Sequence, residues 1–121
     1  MNYREPMPRD REGRTVKLEV DSHEGYVIAN IDDDGNFREL FLQGFGKEGS
    51  STYGWTQAFA MLFSIGLQTG GQAFLDGVTH KLGEMKFDPQ GKTNDPDVPE
   101  CRSVPDYIVK KIDRWFGGST G

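Results

Sequence analysis

A chain of 121 residues is long enough for one hydrophobic core, and its net charge of −5 disfavours nucleic-acid polymers, which require a basic footprint. A single cysteine, Cys101, excludes an internal disulfide and fits a reducing, cytoplasmic setting. Hydrophobic residues make up only 35%, so surface or tails must be polar, while 12% aromatics argue against disorder. The charged N-terminus lacks an apolar leader-like run, and no segment reads as bilayer-spanning or membrane-binding.

Residues 1–14 carry two prolines among many charges and read as an extended or disordered arm. A single domain is expected over 15–118. From Thr15, Val16, Leu18 and Val20 alternate with Lys17 and Glu19, the period of a half-buried strand. Tyr26–Ile31 reads as a second strand, Asp32–Asn36 as a turn, and Phe37–Gln43 as a third strand, so the last two form a hairpin. The acidic turn invites a calcium reading. A loop starting at Asn30 places Asp32, Asp34 and Gly35 correctly, but its twelfth position is Phe41 rather than a bidentate Glu. Asp, Asn and Gly suit a plain turn.

A first helix is expected from about Thr52 to Gln68, with Trp55, Phe59, Leu62, Phe63 and Leu67 on its apolar face. Gly70-Gly71 stops it, and a second helix covers Gln72 to Leu82. The stretch from Met85 to Pro99 is a long loop of Pro, Gly and Asx residues, and such loops are functional or disordered. A third helix starts at Ser103, where Ser-Val-Pro-Asp resembles a capping box, and Gly117-Gly118 ends it. The fold class is therefore α+β: a small three-stranded antiparallel sheet with a hairpin, then three helices packed on one face.

The join between the third strand and the first helix carries the most chemistry. Gly44, Gly46 and Gly49 surround Lys47, and Ser50, Ser51 and Thr52 follow. Glycines let backbone N–H groups converge, and a helix N-terminus adds partial positive charge, so such a corner can hold a phosphate or carboxylate. A capped strand-to-helix connection explains the same residues without a ligand. The match to Gly-x-Gly-x-x-Gly lacks the following parallel strand of a dinucleotide fold, and Lys47-Glu48 is not a Walker A ending. His23 and His80 show no metal-ligand spacing with Cys101, and Asp32–Asp34 have no partner for acid–base work. No metal, cofactor or catalytic residue is expected. Trp55, Phe59 and Trp115 read as core, while Tyr53 or Trp55 beside the glycine loop could stack on a flat base.

Lys47-Glu-Gly-Ser50, Ala58-Phe-Ala60 and Ser64-Ile-Gly-Leu-Gln-Thr-Gly70 resemble the small C-terminal domain of adenosylcobalamin-dependent (class II) ribonucleotide reductases. Phe87-Asp-Pro-Gln-Gly-Lys-Thr93, Asn94-Asp-Pro-Asp97 and Ser103-Val-Pro-Asp-Tyr-Ile108 continue the likeness in order, over nearly the whole chain. This domain type also occurs as short stand-alone proteins named after a Thr-Ser-Cys-Pro-Asp motif, which Cys101-Arg-Ser-Val-Pro-Asp106 follows in part. The resemblance implies a fold, a cytoplasmic setting and a link to nucleotides. Family catalysis needs a large barrel, a radical-forming cysteine, a redox cysteine pair and a cobalamin site, so no catalytic residue carries over.

A conditional site follows. Gly46, Lys47, Gly49, Ser50, Ser51 and Tyr53 would surround a phosphate, with Lys92, Thr93 and Arg102 approaching from the long loop and the last helix. The expected function is non-enzymatic binding of a nucleotide or nucleotide-derived signal, acting by sequestration. The alternative is an accessory module that docks on a reductase or related complex. The small residues of the first helix (Gly54, Ala58, Ala60, Gly66) and exposed aromatics suggest a homodimer or higher homo-oligomer.

Overall fold

The computed structural model describes residues 4–117. Three strands, β1 (Glu12–Val20), β2 (His23–Ile31) and β3 (Phe37–Gln43), form an antiparallel sheet in the order β1-β2-β3. Helix α1 covers Ser51–Gly83, the short strands β4 (Gly91–Lys92) and β5 (Glu100–Cys101) form a second sheet, and α2 covers Val104–Phe116. The α+β class and three-stranded sheet agree with the sequence reading. The helix count does not: there are two helices rather than three, and a small sheet lies within the stretch read as loop. A single domain was the expectation over 15–118, of which Gly118 lies outside the described residues. The chain groups into two compact units. The first takes in the chain up to Lys17 with Gly25–Leu75, and the second Leu18–Glu24 with the chain from Asp76 on.

In the first unit, the pairing of β2 with β3 sets Val27 opposite Leu42 and Ala29 opposite Leu40, and all four are buried. Alternation sends Ile28 and its partner Phe41 to the other face, where Phe41 is exposed. The connecting turn closes on one carboxylate. Asp32 Oδ1 accepts from the N–H groups of Asp34 and Asn36 at 2.9 Å each, and Oδ2 from Arg38 Nε at 3.1 Å. Burial alone would raise the Asp32 carboxyl, but these bonds hold it below its ordinary value.

The outer edge of β3 is covered by α1 rather than by a fourth strand. Ser64 Oγ accepts from Leu40 N–H at 2.9 Å and donates to Leu40 C=O at 3.0 Å. Gln57 Nε2 donates to Leu42 C=O at 2.7 Å, and Gln68 Nε2 to Arg38 C=O at 3.0 Å. The buried face of α1 is thus Ala60, Phe63, Ser64, Leu67 and Gln68, with two polar members that satisfy an otherwise open strand edge. Trp55 and Leu62, expected in the core, are 76% and 67% exposed instead. These two lie away from the strand edge that Ser64 and Gln68 seek, while Phe63 and Leu67 of the same expected face are buried.

The Gly70-Gly71 stop is a kink inside α1, because Gly71 has φ 57° and ψ −137°. The chain turns back there, and Phe74 lies over Gly66, where an added Cβ would stand 2.2 Å from the ring. Phe74 also meets Phe63 edge-on at 5.4 Å. The carbonyls of Leu67 and Gln68, just before the break, accept from Arg38 Nη1 and from Glu5 N–H at 2.9 Å each. Arg4 Nε donates to Gln68 Oε1 at 2.6 Å, and Arg11 makes a bidentate pair with buried Glu39 at 2.8 and 2.6 Å. Part of the stretch expected as an arm therefore bonds to the sheet and helix; Met1–Tyr3 lie outside the described residues. By length and apolar composition alone Ser51–Gly83 qualifies as membrane-spanning, contrary to the sequence reading, with 28% of its most apolar window buried.

In the second unit, the β1–β2 tip turns through Asp21 and Ser22, both with positive φ (45° and 65°). Asn94 zips its loop onto β1, its N–H donating to Glu19 C=O at 3.1 Å and its Oδ1 accepting from Glu19 N–H at 2.7 Å. Thr93 bridges to Val20, and β4 pairs with β5 as Gly91 to Cys101 and Lys92 to Glu100. Helix α2 buries Val104, Tyr107, Ile108, Val109 and Ile112. Ser103 caps it by accepting from Asp106 N–H at 3.1 Å. Asp106, fully buried, accepts through Oδ2 from Arg102 N–H at 2.8 Å and Lys110 Nζ at 2.9 Å.

Candidate functional site

The glycine loop lies wholly in the first unit. Gly44, Gly46 and Gly49 all have positive φ (82°, 83° and 87°), so the loop folds back at three positions. Buried Phe45 anchors it against Gly25, where an added Cβ would lie 2.7 Å from the ring. Gly46 backs onto the start of α1. A Cβ there would stand 2.8 Å from Tyr53 N and 3.1 Å from Ser50 Oγ, so only glycine fits.

Ser50 is the N-cap of α1. Its Oγ accepts from Tyr53 N–H at 3.1 Å, its C=O accepts from Gly54 N–H at 3.0 Å, and its own N–H donates to Lys47 C=O at 2.8 Å. The cap is therefore Ser50 and not Ser51. The N–H groups of Ser51 and Thr52 begin the helix and have no helical carbonyl to bond. Both residues are exposed, and the first turn carries no acid to neutralise the helix dipole. Lys47 and Gly49 are exposed beside them, and Tyr53 is partly buried. The structure thus gathers Gly46, Lys47, Gly49, Ser50, Ser51 and Tyr53 around one helix start.

Lys92, Thr93 and Arg102 belong to the second unit. Lys92, Thr93 and Asn94 line an open cavity of about 300 Å³ with the β1–β2 tip, Glu19–Glu24. Glu19, Asp21 and Glu24 make that cavity acidic around Lys92. The Thr93 hydroxyl is committed to its own loop, donating to Val98 C=O at 2.5 Å and accepting from Asp95 N–H at 3.0 Å. Arg102 is exposed, but its backbone N–H donates to the buried carboxylate of Asp106 at 2.8 Å, so the start of α2 beside it already carries a negative charge.

Cys101 is a buried free thiol. Burial first, and then the nearby Asp106 charge, push its pKa up, opposite to an activated nucleophile. His80 Nε2 pairs with Glu84 at 2.8 Å on the surface, and His23 Nδ1 lies 2.8 Å from Asp21 C=O. Among the described residues no group of three or more His, Cys, Asp or Glu is placed to hold a metal. The sequence reading missed the buried charges Glu39, Asp95 and Lys111. Glu39 carried a signal, since it interrupts the apolar run Phe37–Leu42.

The family model for the TSCPD domain matches residues 1–115. The chain is also similar to vitamin B12-dependent ribonucleotide reductases. It is 38% identical to that of Streptomyces avermitilis over 90% of its own length and 11% of the relative's. It is 38% identical to that of Streptantibioticus cattleyicolor over 90% of its length and 18% of the relative's. For Rhodopirellula baltica the figures are 34%, 94% and 10%. The chain thus spans less than a fifth of each of these relatives. No solved structure matches it. From an ordered set of motifs covering nearly its whole length, the chain belongs to the TSCPD domain family.

Proposed function

We propose that this TSCPD domain is a non-enzymatic cytoplasmic binding module for a nucleotide or nucleotide-derived signal, held mainly through a phosphate at the start of α1. The supporting observation is the acid-free first turn, where the exposed Ser51 and Thr52 lead the helix beside Lys47 and a backbone bent by Gly46 and Gly49. Tyr53, one residue on, is the candidate surface for a base. Burial raises the Cys101 thiol, so the one cysteine is poorly set up as a nucleophile. A domain that binds without consuming its ligand acts by sequestration. Calorimetry of the full chain with linear and cyclic nucleotides tests this. Binding of one class, with intact ligand recovered after denaturation, supports the proposal; silence across the panel ends it.

A second reading rests on the relatives. A match over 90% of this chain but 11% of a ribonucleotide reductase suits an accessory module that docks on such an enzyme. Co-purification with a reductase in the absence of small ligand would favour that reading.

A further inference from the structure

Residues Arg4–Arg11 lie in the first unit outside any helix or strand, and none of them is buried. Met7 and Pro8 reach only half-burial, and Pro6 and Pro8 have no N–H to give. Hydrophobic burial therefore does little to hold this segment down. Polar bonds hold it, at its two ends. At the first, Arg4 Nε donates to Gln68 Oε1 at 2.6 Å and Glu5 N–H to Gln68 C=O at 2.9 Å. At the other, Arg11 Nη1 donates to both carboxylate oxygens of Glu39 at 2.8 and 2.6 Å, while Arg11 Nε turns back to Pro8 C=O at 2.8 Å.

We propose that Arg4–Arg11 is a strap that opens and closes over Gln68 and Glu39 while the sheet and helix beneath it stay folded. What the strap covers carries the argument. Gln68 and Glu39 are both buried, and both are polar. Opening hands these groups to water and exposes little apolar surface, so its cost is a few bonds that water replaces. The body keeps its own bonds when the strap leaves. Gln68 Nε2 still donates to Arg38 C=O at 3.0 Å, and Asn30 Nδ2 still donates to Glu39 Oε1 at 3.0 Å. Ser64 still closes the strand edge at Leu40. Arg38 Nη1 still donates to Leu67 C=O at 2.9 Å, so the helical segment before Gly71 retains a cap.

The two latches differ in strength. Arg11 meets a buried carboxylate through both of its oxygens, a charge-assisted pair. Arg4 meets a neutral amide. Glu5 Oε2 stands 3.8 Å from Arg38 Nη2, but its side chain is 69% exposed, so this pair adds little. The strap therefore opens from the Arg4 end and swings on Arg11 through the bend at Arg9-Asp10. The Glu5 N–H, bonded to Gln68 C=O, is released in that motion and reports it.

Hydrogen exchange of the full chain, followed amide by amide with NMR, is the test. In the wild type the Glu5 amide is protected, yet it exchanges at least about tenfold faster than the Leu40 amide, which donates to Ser64 Oγ inside the body. The Glu5 rate stays flat in urea below the unfolding transition, because the opening exposes little surface. Arg4→Gln raises the Glu5 rate by about a further tenfold and leaves the Leu40 rate unchanged. Arg11→Gln combined with Glu39→Gln, which leaves no charge buried alone, does the same. A Glu5 amide without protection in the wild type overturns the closed strap. Glu5 and Leu40 amides that exchange at the same rate overturn its independence from the body. Variants that leave the Glu5 rate at the wild-type value overturn the role of the two arginines as latches.

Discussion

The Tyr107 hydroxyl donates to Asp95 Oδ2 at 2.6 Å, and Lys111 Nζ reaches the same oxygen at 2.8 Å. All three side chains are buried, and Asp95 Oδ1 accepts from Asp97 N–H at 2.9 Å. One carboxylate therefore fastens the Asn94–Asp97 turn to two positions of α2. Tyr107→Phe removes one charge-assisted bond and is expected to cost about 1.5–3 kcal/mol. Asp95→Ala strands Lys111 without its buried partner and is expected to cost more, about 3–5 kcal/mol. Urea unfolding of both variants measures the order; equal losses would show that Lys111 finds compensation in Asp97, 3.3 Å away.

The same network sets the pH range of stability. Burial alone would raise the Asp95 carboxyl, but Lys111, Tyr107 and the Asp97 N–H hold it below its ordinary 3.8. Its contribution is complete above that value and is lost as pH falls through the lower folded one. Burial first, then the Asp95 charge, raises the Tyr107 hydroxyl above its ordinary 10.0. Its contribution is complete below pH 10 and is lost as pH rises from there. Melting temperature should therefore fall on both limbs, below about pH 4 and above about pH 10. Asp95→Asn should flatten the acid limb and Tyr107→Phe the alkaline one.

This network marks where the sequence stops being legible. Strand alternation in 15–43 and the period of α2 depend on near neighbours, and both elements stand close to where the pattern puts them. The face of α1 depends on a distant strand edge. Ser64 and Gln68 are polar and lie outside the expected apolar face, yet they are buried and bond to Leu40 and Arg38 there. Trp55 and Leu62 read as inward and are displaced to the surface by the same choice. Asp95 and Lys111 look like solvated charges until their turn meets α2. In the candidate site, Gly46 to Tyr53 was readable because it is contiguous. The surroundings of Lys92, Thr93 and Arg102 were not, because the β1–β2 tip and Asp106 supply them.

The kink in α1 gives a third test. Gly71 sits at φ 57° and ψ −137°, a region essentially reserved for glycine, where a side chain costs about 1–3 kcal/mol, and a Cβ would stand 3.2 Å from Arg38 Nη1. Gly71→Ala should lower stability by roughly that amount. Gly66→Ala should cost more, because its Cβ meets the Phe74 ring at 2.2 Å and the returning segment must move. Thermal unfolding ranks the two. A larger loss at Gly71 would mean that backbone strain, and not the Phe74 contact, governs the turn.

Ser50 and Lys47 separate structure from function in the glycine loop. Ser50 Oγ caps α1, so Ser50→Ala should lower stability by about 1 kcal/mol, while Ser51→Ala should stay within about 0.5 kcal/mol of wild type. Lys47 is exposed, and its backbone carbonyl, not its ammonium, serves the loop through Ser50 N–H. Lys47→Ala should therefore leave the melting temperature nearly unchanged. If the loop holds a phosphate, the same substitution should weaken nucleotide binding by about 1–3 kcal/mol, the worth of a charge-assisted bond to the ligand. Ser50→Ala should lower both stability and binding, because the cap also fixes where Ser51 and Thr52 present their N–H groups. Calorimetry and thermal unfolding on the three variants read these effects apart. A ligand that binds Lys47→Ala as tightly as wild type would leave the loop a capped connection and move the site elsewhere.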